Sequence, residues 1–214
     1  MGRGKIQASF YDPTVQRWID RDGYVIVRLF SPEQVAQARL IRDRLGPASQ
    51  DPLDGFYQDT FSSDVAYRVS VHEALTPLFD RCLNPLLIDH TTLVCTFLVL
   101  WPGGSGVPPH RDISIVDESQ YRTLMVWCPL ARLGAGGGRL QVLPGSHLTA
   151  DSIRPHRSDA LIDETSLQDM VELGWRTLDL ELGEAVVFDQ ALLHGSEPNV
   201  GPGERLVAGA ALRP

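Results

Sequence analysis

The chain is poor in cysteine, which limits both its cross-links and its choice of metal ligands. It has three cysteines in 214 residues, widely spaced and without a Cys-x-x-Cys pair. This pattern disfavours a disulfide framework and a thiolate zinc site. We therefore expect a reducing, cytoplasmic environment, in which any bound metal takes nitrogen and oxygen ligands.

Positive charge is also scarce. The sequence has 19 Lys and Arg against 27 Asp and Glu, a formal net charge of −8. Because a protein that binds a phosphate backbone needs a basic face, nucleic acid is disfavoured as a partner. A small molecule is the expected one, and the sequence carries no signal for an oligomeric state.

Long apolar runs are absent as well. The longest, Leu93–Trp101, has about half the length of a membrane span and suits a buried strand better. The segment Met1–Asp22 is polar and lacks the apolar centre of a signal peptide. We therefore expect a soluble protein without membrane contact.

Helical signals lie mainly in the first half of the chain. Ser31-Pro32-Glu33-Gln34 supplies an N-cap serine, a proline at the first helical position and a glutamine three residues after the cap. Gly46-Pro47 ends this helix. A second helix is expected around Val71–Leu83, with Pro77 as a candidate start, and a third around Glu164–Leu173.

Short strands separated by glycine and proline turns dominate the rest, which is typical of a sandwich or barrel. We predict a mainly β fold in a single domain over residues 1–214. It would have a helical flank over about 1–90, a barrel core over about 91–214 and a polar insertion over about 148–175. The predicted strands are Tyr24–Leu29, Leu93–Leu100, Ile113–Val116, Thr123–Leu130, Arg139–Leu143, Thr177–Leu180, Ala185–Phe188 and Leu206–Ala211.

One group of residues indicates a metal site. His110 and Asp112 are two positions apart, and alternate residues of a strand point to the same face, so Arg111 would point away. His194 follows another predicted strand much later in the chain. Two imidazoles and one carboxylate are the ligands of facial non-haem Fe(II) sites. His110, Asp112 and His194 are thus the candidate metal ligands and catalytic residues.

A cation follows this group at the start of the expected final strand. Arg205 lies shortly after His194, and a guanidinium can form a bidentate pair with a carboxylate of a bound molecule. Ser196 could share that carboxylate as a neutral donor. A turn-capping role fits Ser196 equally well.

Together these motifs resemble the phytanoyl-CoA dioxygenase (PhyH-like) family of Fe(II)/2-oxoglutarate-dependent oxygenases. The layout is similar from Tyr24 to Leu212, and the specific motifs are Pro109-His110-Arg111-Asp112, the strand with Trp127, the segment Gly138–His147, and His194–Asn199 with Arg205.

The resemblance implies a fold and a set of ligands. The fold would be a double-stranded β-helix, a jelly-roll or cupin-like barrel, with the N-terminal helices packed outside. His110, Asp112 and His194 would bind Fe(II), while Arg205 and Ser196 would hold the C5 carboxylate of 2-oxoglutarate. Thr96 and Trp127 are further candidates for the co-substrate site, although Trp127 is expected mainly in the core.

The resemblance also implies an activity. With O2 as co-substrate, such an enzyme hydroxylates an unactivated C–H of a small molecule and releases succinate and CO2. The substrate would be an amino acid, a natural-product intermediate or an acyl compound. Asp112 favours hydroxylation, because related halogenases carry a small residue there. Desaturation, epoxidation and ring closure remain open, as does a cupin-like dioxygenase or isomerase that does not use 2-oxoglutarate.

The other four histidines are not predicted to bind metal. His147, in a Pro-Gly-Ser-His turn, is expected to make a structural hydrogen bond. The remaining ones lack a partner at ligand spacing and are expected on the surface or in helices: His72, His90 and His156.

Overall fold

The computed structural model describes residues 6–47, 54–151, 153–154 and 174–213. Within them lie the α-helices α1 (Pro13–Asp22), α2 (Pro32–Leu45) and α3 (Val65–Leu83), with two short 3-10 helices at Asp59–Phe61 and Ser146–Thr149. The strands are β1 (Tyr24–Arg28), β2 (Phe56–Gln58), β3 (Thr91–Leu100), β4 (Val107–His110), β5 (Leu124–Pro129), β6 (Leu140–Val142), β7 (Arg176–Thr177), β8 (Glu184–Asp189), β9 (His194–Ser196) and β10 (Arg205–Arg213).

Each α-helix begins directly after a side chain that caps it. Asp12 accepts a hydrogen bond from the backbone N–H of Thr14, and Asp64 accepts one from Tyr67. Ser31 and Gln34 form the complete capping box that their spacing predicts. These caps satisfy N–H groups that have no partner inside the helix.

The strands form two antiparallel sheets. One has six strands in the order β1-β8-β5-β10-β3-β2, and the other has four in the order β4-β9-β6-β7. β1 and β2, which come from the predicted helical flank, are the two edge strands of the larger sheet. The predicted double-stranded β-helix with N-terminal helices is confirmed, while the extent of the domain stays a prediction.

Two apolar clusters hold these layers together. The larger one joins the helices to one face of the six-stranded sheet, through residues such as Phe79 of α3 and Phe97 of β3, both 0% exposed. The smaller cluster lies between the two sheets and contains Trp127, Leu140 and Phe188. The space between the sheets is therefore partly filled with side chains and partly left as a cavity.

Several predicted boundaries need correction. The helix expected around Val71–Leu83 begins at Val65, because Asp64 is its N-cap, and Pro77 lies inside it. β4 ends at His110, so Asp112 lies beyond the strand. The helix expected at Glu164–Leu173, and most of the predicted insertion, lie outside the described residues.

The strand predicted at Ile113–Val116 does not form. This segment belongs to a loop, and its hydrogen bonds go to another loop segment instead of a sheet: the backbone N–H of Arg154 donates to Ser114 Oγ at 2.8 Å. Asp117 closes the next turn by accepting hydrogen bonds from Ser119. β-branched residues alone therefore did not make a strand here.

No helix among the described residues has both the length and the apolar character needed to cross a membrane.

Candidate metal centre and adjoining cavity

Sheet register brings two distant histidines side by side. β4 and β9 are antiparallel neighbours, and His110 of β4 pairs directly with His194 of β9. The ring centroids are 4.3 Å apart, and Phe188 packs against the His194 ring at 4.7 Å. The register of one strand pair thus determines the distance between the two candidate ligands.

Both imidazoles are oriented by backbone carbonyls. Nδ1 of His110 lies 2.8 Å from the carbonyl oxygen of Pro108, and Nδ1 of His194 lies 3.0 Å from that of Leu192. A carbonyl can only accept, so Nδ1 carries the hydrogen in both rings and donates it. With the hydrogen on Nδ1, Nε2 is the ring nitrogen that can act as a metal ligand, which is the usual arrangement for a ligating histidine.

Asp112 completes the group from the loop after β4. One carboxylate oxygen lies 3.8 Å from Nε2 of His110 and the other 3.9 Å from Nε2 of His194. These distances exceed a hydrogen bond, and Oδ2 of Asp112 is buried with no hydrogen-bond partner in the described part of the chain. One ligand atom from each residue lies within 4.8 Å of the others, so the three side chains can hold a single metal ion.

The backbone of Asp112 is held on both sides, which matters because it lies outside a strand. Its N–H donates to the carbonyl of Gln190 at 3.1 Å, and its own carbonyl accepts from Nε of Arg154 at 2.9 Å. Arg154 in turn forms a buried ion pair with Glu118, which also accepts from Thr123.

The Pro-Gly-Ser-His turn supports His194 rather than binding metal. Ser146 Oγ accepts from the backbone N–H of Leu193 at 2.9 Å. His147 is 1% exposed and its Nε2 lies 3.2 Å from the carbonyl of Asp20, in agreement with a structural hydrogen bond. Arg111 is not in the ligand group and donates to the carbonyls of Ala191 and Ser146.

Arg205 is a buried cation that faces the same cavity. The residue is 2% exposed, and one guanidinium nitrogen donates to the carbonyl of Gly138 at 3.0 Å. Gly138 has a φ of +75°, and a Cβ there would lie 3.2 Å from Cδ of Arg205. The rings of Phe56 and Trp127 lie 5.8 and 5.6 Å from the guanidinium carbon.

No acidic side chain among the described residues pairs with this arginine. Burial lowers the pKa of Arg205 from its ordinary value to about 10, and none of the described residues forms a hydrogen bond with its Nε. A buried guanidinium that lacks a carboxylate is costly. The arrangement is therefore suited to an anionic group of a bound molecule.

The other predicted co-substrate residues have different positions. Ser196 lines the cavity, and its Oγ accepts from the backbone N–H of Val107, which leaves its own hydroxyl hydrogen available as a donor. Trp127 belongs to the cluster between the sheets and also lines the cavity. Thr96 does not reach the cavity wall: it is 1% exposed, and its hydroxyl donates to the carbonyl of Phe97.

The cavity measures about 300 Å³, at the lower end of the range for small-molecule sites. Its wall includes residues that the sequence did not single out, among them Phe56 and Gln58 on β2 and Gln190 after β8. Of the remaining histidines, His72 lies in α3, where its Nδ1 accepts from the backbone N–H of Cys95. His90 is half-buried after α3, and His156 lies outside the described residues.

Fold and site together define a jelly-roll protein with a two-histidine, one-carboxylate metal centre. The family model for phytanoyl-CoA dioxygenase (PhyH) matches residues 19–207. The chain therefore belongs to the PhyH family. No curated protein matches it in a sequence search.

Several solved structures have a similar fold. The non-haem α-ketoglutarate-dependent carbocyclase SnoK from nogalamycin biosynthesis is 17% identical, with 94% of this chain and 84% of that chain covered and a TM-score of 0.66. EctD from S. alaskensis, crystallised with 2-oxoglutarate and 5-hydroxyectoine, is 21% identical, with 99% and 82% covered and a TM-score of 0.64.

A third similar structure is HygX from Streptomyces hygroscopicus, with nickel, 2-oxoglutarate and hygromycin B bound. It is 15% identical, with 95% of this chain and 87% of that chain covered and a TM-score of 0.62. At these identities the similarity demonstrates a shared fold.

Proposed function

We propose that this protein is an Fe(II)/2-oxoglutarate-dependent dioxygenase that hydroxylates an unactivated C–H of a small molecule. His110, Asp112 and His194 would hold the iron, and Arg205 with Ser196 would hold the distal carboxylate of 2-oxoglutarate. When bound, Fe(II) and 2-oxoglutarate supply the activation of O2, with release of succinate and CO2. Family membership and the cofactors named for SnoK, EctD and HygX support this assignment.

The observation that carries the proposal is Arg205, a buried cation that pairs with no carboxylate of the described residues and lies in the cavity of the candidate metal ligands. A metal site alone would suit a cupin-like enzyme that needs no co-substrate. A buried guanidinium beside it suits a dicarboxylate that reaches from the ion to Arg205, because charge-assisted bidentate pairs are strong in a dry site. The rings of Phe56 and Trp127 lie beside the guanidinium and would shield such a pair from water.

The experiment measures succinate and CO2 formed from labelled 2-oxoglutarate by the Fe(II)-loaded protein, alongside the affinity for 2-oxoglutarate under anaerobic conditions. We expect turnover by the wild type and its loss in Asp112→Ala. Arg205→Met should weaken 2-oxoglutarate binding by at least about 30-fold, since removing one partner of a buried charge pair costs about 2–5 kcal/mol. A wild type that produces no succinate would point to the cupin-like alternative.

The same arginine variant gives a stability control. The lowered pKa of Arg205 means that the native state disfavours the charged guanidinium. The charge therefore lowers the free energy of unfolding, and this effect is fully present at every pH below about 10. Without ligand, Arg205→Met should therefore unfold with a free energy equal to or above that of the wild type. Lower stability with unchanged 2-oxoglutarate affinity would mean that Arg205 is only structural.

Product analysis separates hydroxylation from the other reactions of this ligand set. Hydroxylation converts a C–H into a C–OH with an oxygen atom that derives from O2, and epoxidation adds such an atom across a C=C bond. Desaturation and ring closure remove hydrogen without adding oxygen. Asp112 supports hydroxylation over halogenation, because it occupies the position that chloride would need.

A cytoplasmic location is also proposed. All three cysteines are free thiols, which supports a reducing compartment. The partner we propose is the small-molecule substrate itself.

A further inference from the structure

Gln190 places a second unexplained polar group in the cavity. It follows β8 directly and lies four residues before His194. Its main chain is fixed: the N–H donates to Thr123, and the carbonyl accepts from Asp112. The residue is 4% exposed and lines the cavity, and its buried side-chain oxygen has no hydrogen-bond partner among the residues that the structure describes.

Three residues of the cavity wall carry such an unpartnered buried atom within the described part of the chain: Asp112, Arg205 and Gln190. Native proteins leave few buried polar atoms unpaired, so each one requires an explanation. The metal ion accounts for Asp112, and the distal carboxylate of 2-oxoglutarate accounts for Arg205. Gln190 is left over, which indicates a third bound molecule, and in this mechanism that molecule is the substrate.

The surroundings of Gln190 define what that molecule looks like. Most of the wall is apolar, including Phe61, Leu98, Ile113 and Met125. An amide is uncharged, and a hydroxyl can satisfy it whichever way the amide is turned, because a hydroxyl both donates and accepts.

We propose that Gln190 binds a hydroxyl group of the substrate, so that the enzyme selects an uncharged, largely apolar molecule that carries a hydroxyl. This inference rests on the proposed function, because it assigns the metal and 2-oxoglutarate to the other two groups. Gln190 is thus a specificity-determining residue of the same site.

The test compares indane with 1-indanol, two probes that differ by one hydroxyl. Their dissociation constants are measured by calorimetry on the Fe(II)- and 2-oxoglutarate-loaded protein without O2. We expect the wild type to bind 1-indanol about fivefold more tightly than indane, the usual gain from one net hydrogen bond. Gln190→Leu, which has a side chain of similar size, should lose this preference while its affinities for Fe(II) and 2-oxoglutarate stay within about twofold of wild type.

Gln58→Leu is the matched control, because Gln58 is the other amide on the cavity wall. It should keep the preference for 1-indanol. The proposal is overturned if Gln190→Leu keeps the preference, if Gln58→Leu alone removes it, or if the wild type binds 1-indanol no better than indane or not at all. Loss of Fe(II) affinity in Gln190→Leu with the preference intact would make Gln190 a positioning residue of the metal centre instead.

Failure of the proposed function has a different signature. In that case the wild type would neither bind 2-oxoglutarate with Fe(II) nor produce succinate, whatever its preference between the two probes.

Discussion

The three candidate metal ligands are not held in the same way. His110 and His194 are fixed by the register of two paired strands, whereas Asp112 lies on a loop whose position depends on individual hydrogen bonds. One of these comes from Arg154, whose guanidinium bridges the Asp112 carbonyl and the buried carboxylate of Glu118. We therefore expect Arg154 to be a positioning residue for the metal ligand.

Replacing Arg154 should weaken metal binding although the residue is not a ligand. An unpaired buried charge by itself costs about 3–5 kcal/mol. The double variant Arg154→Met/Glu118→Gln avoids this cost, because it removes the contact to Asp112 and both charges of the ion pair together. We expect the affinity for Fe(II) to fall by about 10- to 100-fold, the range found when partners of metal ligands are removed. Anaerobic titration with Fe(II) measures this.

The control for this experiment is Arg132→Met. Arg132 pairs with Glu181 on the surface, where both side chains are more than half exposed, and such pairs contribute little. Its metal affinity should equal that of the wild type. If the double variant also keeps wild-type affinity and only loses stability, the Arg154–Glu118 pair serves the fold and not the metal centre.

At the scale of the elements, the pairing of β4 with β9 is the central feature. Gly195 lies between His194 and Ser196, and a Cβ added there would lie 2.7 Å from the carbonyl oxygen of Val107 on β4. Backbone atoms cannot yield at that distance without moving the strand. A glycine is therefore needed for the two strands to approach each other at the ligand positions.

We predict that Gly195→Ala separates these strands and disturbs the metal centre. The free energy of unfolding should fall by about 1–3 kcal/mol, as for other overpacked sites, and Fe(II) affinity should fall by about tenfold or more. Urea unfolding and metal titration measure the two effects. Gly203→Ala, at a site where a Cβ meets nothing within 4 Å, should change neither; equal effects of the two substitutions would contradict the steric argument.

The elements differ in how well the sequence predicts them. β3, β5, β8 and β10 are largely apolar runs bounded by turn residues, so the sequence pattern alone identifies them. β9 consists of His-Gly-Ser and is formed by its neighbours, which the local sequence cannot show. α1 was missed although Asp12-Pro13 and Gly23, with a φ of +81°, mark its ends; here the signal was present.

The residues of the candidate site also differ in how well the sequence predicts them. The candidate ligands and Arg205 stand out in the sequence because the chemistry proposed for them restricts both residue type and spacing. Gln190 and Arg154 do not, since an amide or a guanidinium is common and its role depends on neighbours distant in sequence. Thr96 lies on the expected strand, but its hydroxyl donates to the carbonyl of the neighbouring Phe97.

At the scale of the whole molecule, the three thiols differ in how deeply they are buried. Cys95 in β3 and Cys128 in β5 are 2% and 0% exposed, and burial raises the pKa of each to about 12. Cys82 in α3 is half-buried, and its pKa is raised as well. Since the native state holds these protons more strongly than the unfolded chain, stability should fall as pH rises above about 9.

Thiol labelling should therefore measure opening of the entire sheet and its coupling to the site. In native protein at neutral pH we expect Cys82 to react faster than the other two thiols because it is partly exposed, although its raised pKa slows the reaction. Cys95 and Cys128 should react only upon large-scale opening, since each is buried and the thiolate is the nucleophile. Fe(II) with 2-oxoglutarate at about 100 times its dissociation constant should slow labelling of Cys128 by about 100-fold, equivalent to about 2.7 kcal/mol. Mass spectrometry of peptides labelled anaerobically by iodoacetamide gives the rates.

The control is Arg205→Met, which should bind 2-oxoglutarate weakly. In this variant, adding 2-oxoglutarate to the Fe(II)-loaded protein should slow the labelling of Cys128 very little. Two results would contradict this prediction: labelling of Cys128 as fast as that of Cys82, or equal protection of the wild type and Arg205→Met by 2-oxoglutarate. Either would mean that ligand binding at the site does not stabilise the sheet as one cooperative unit.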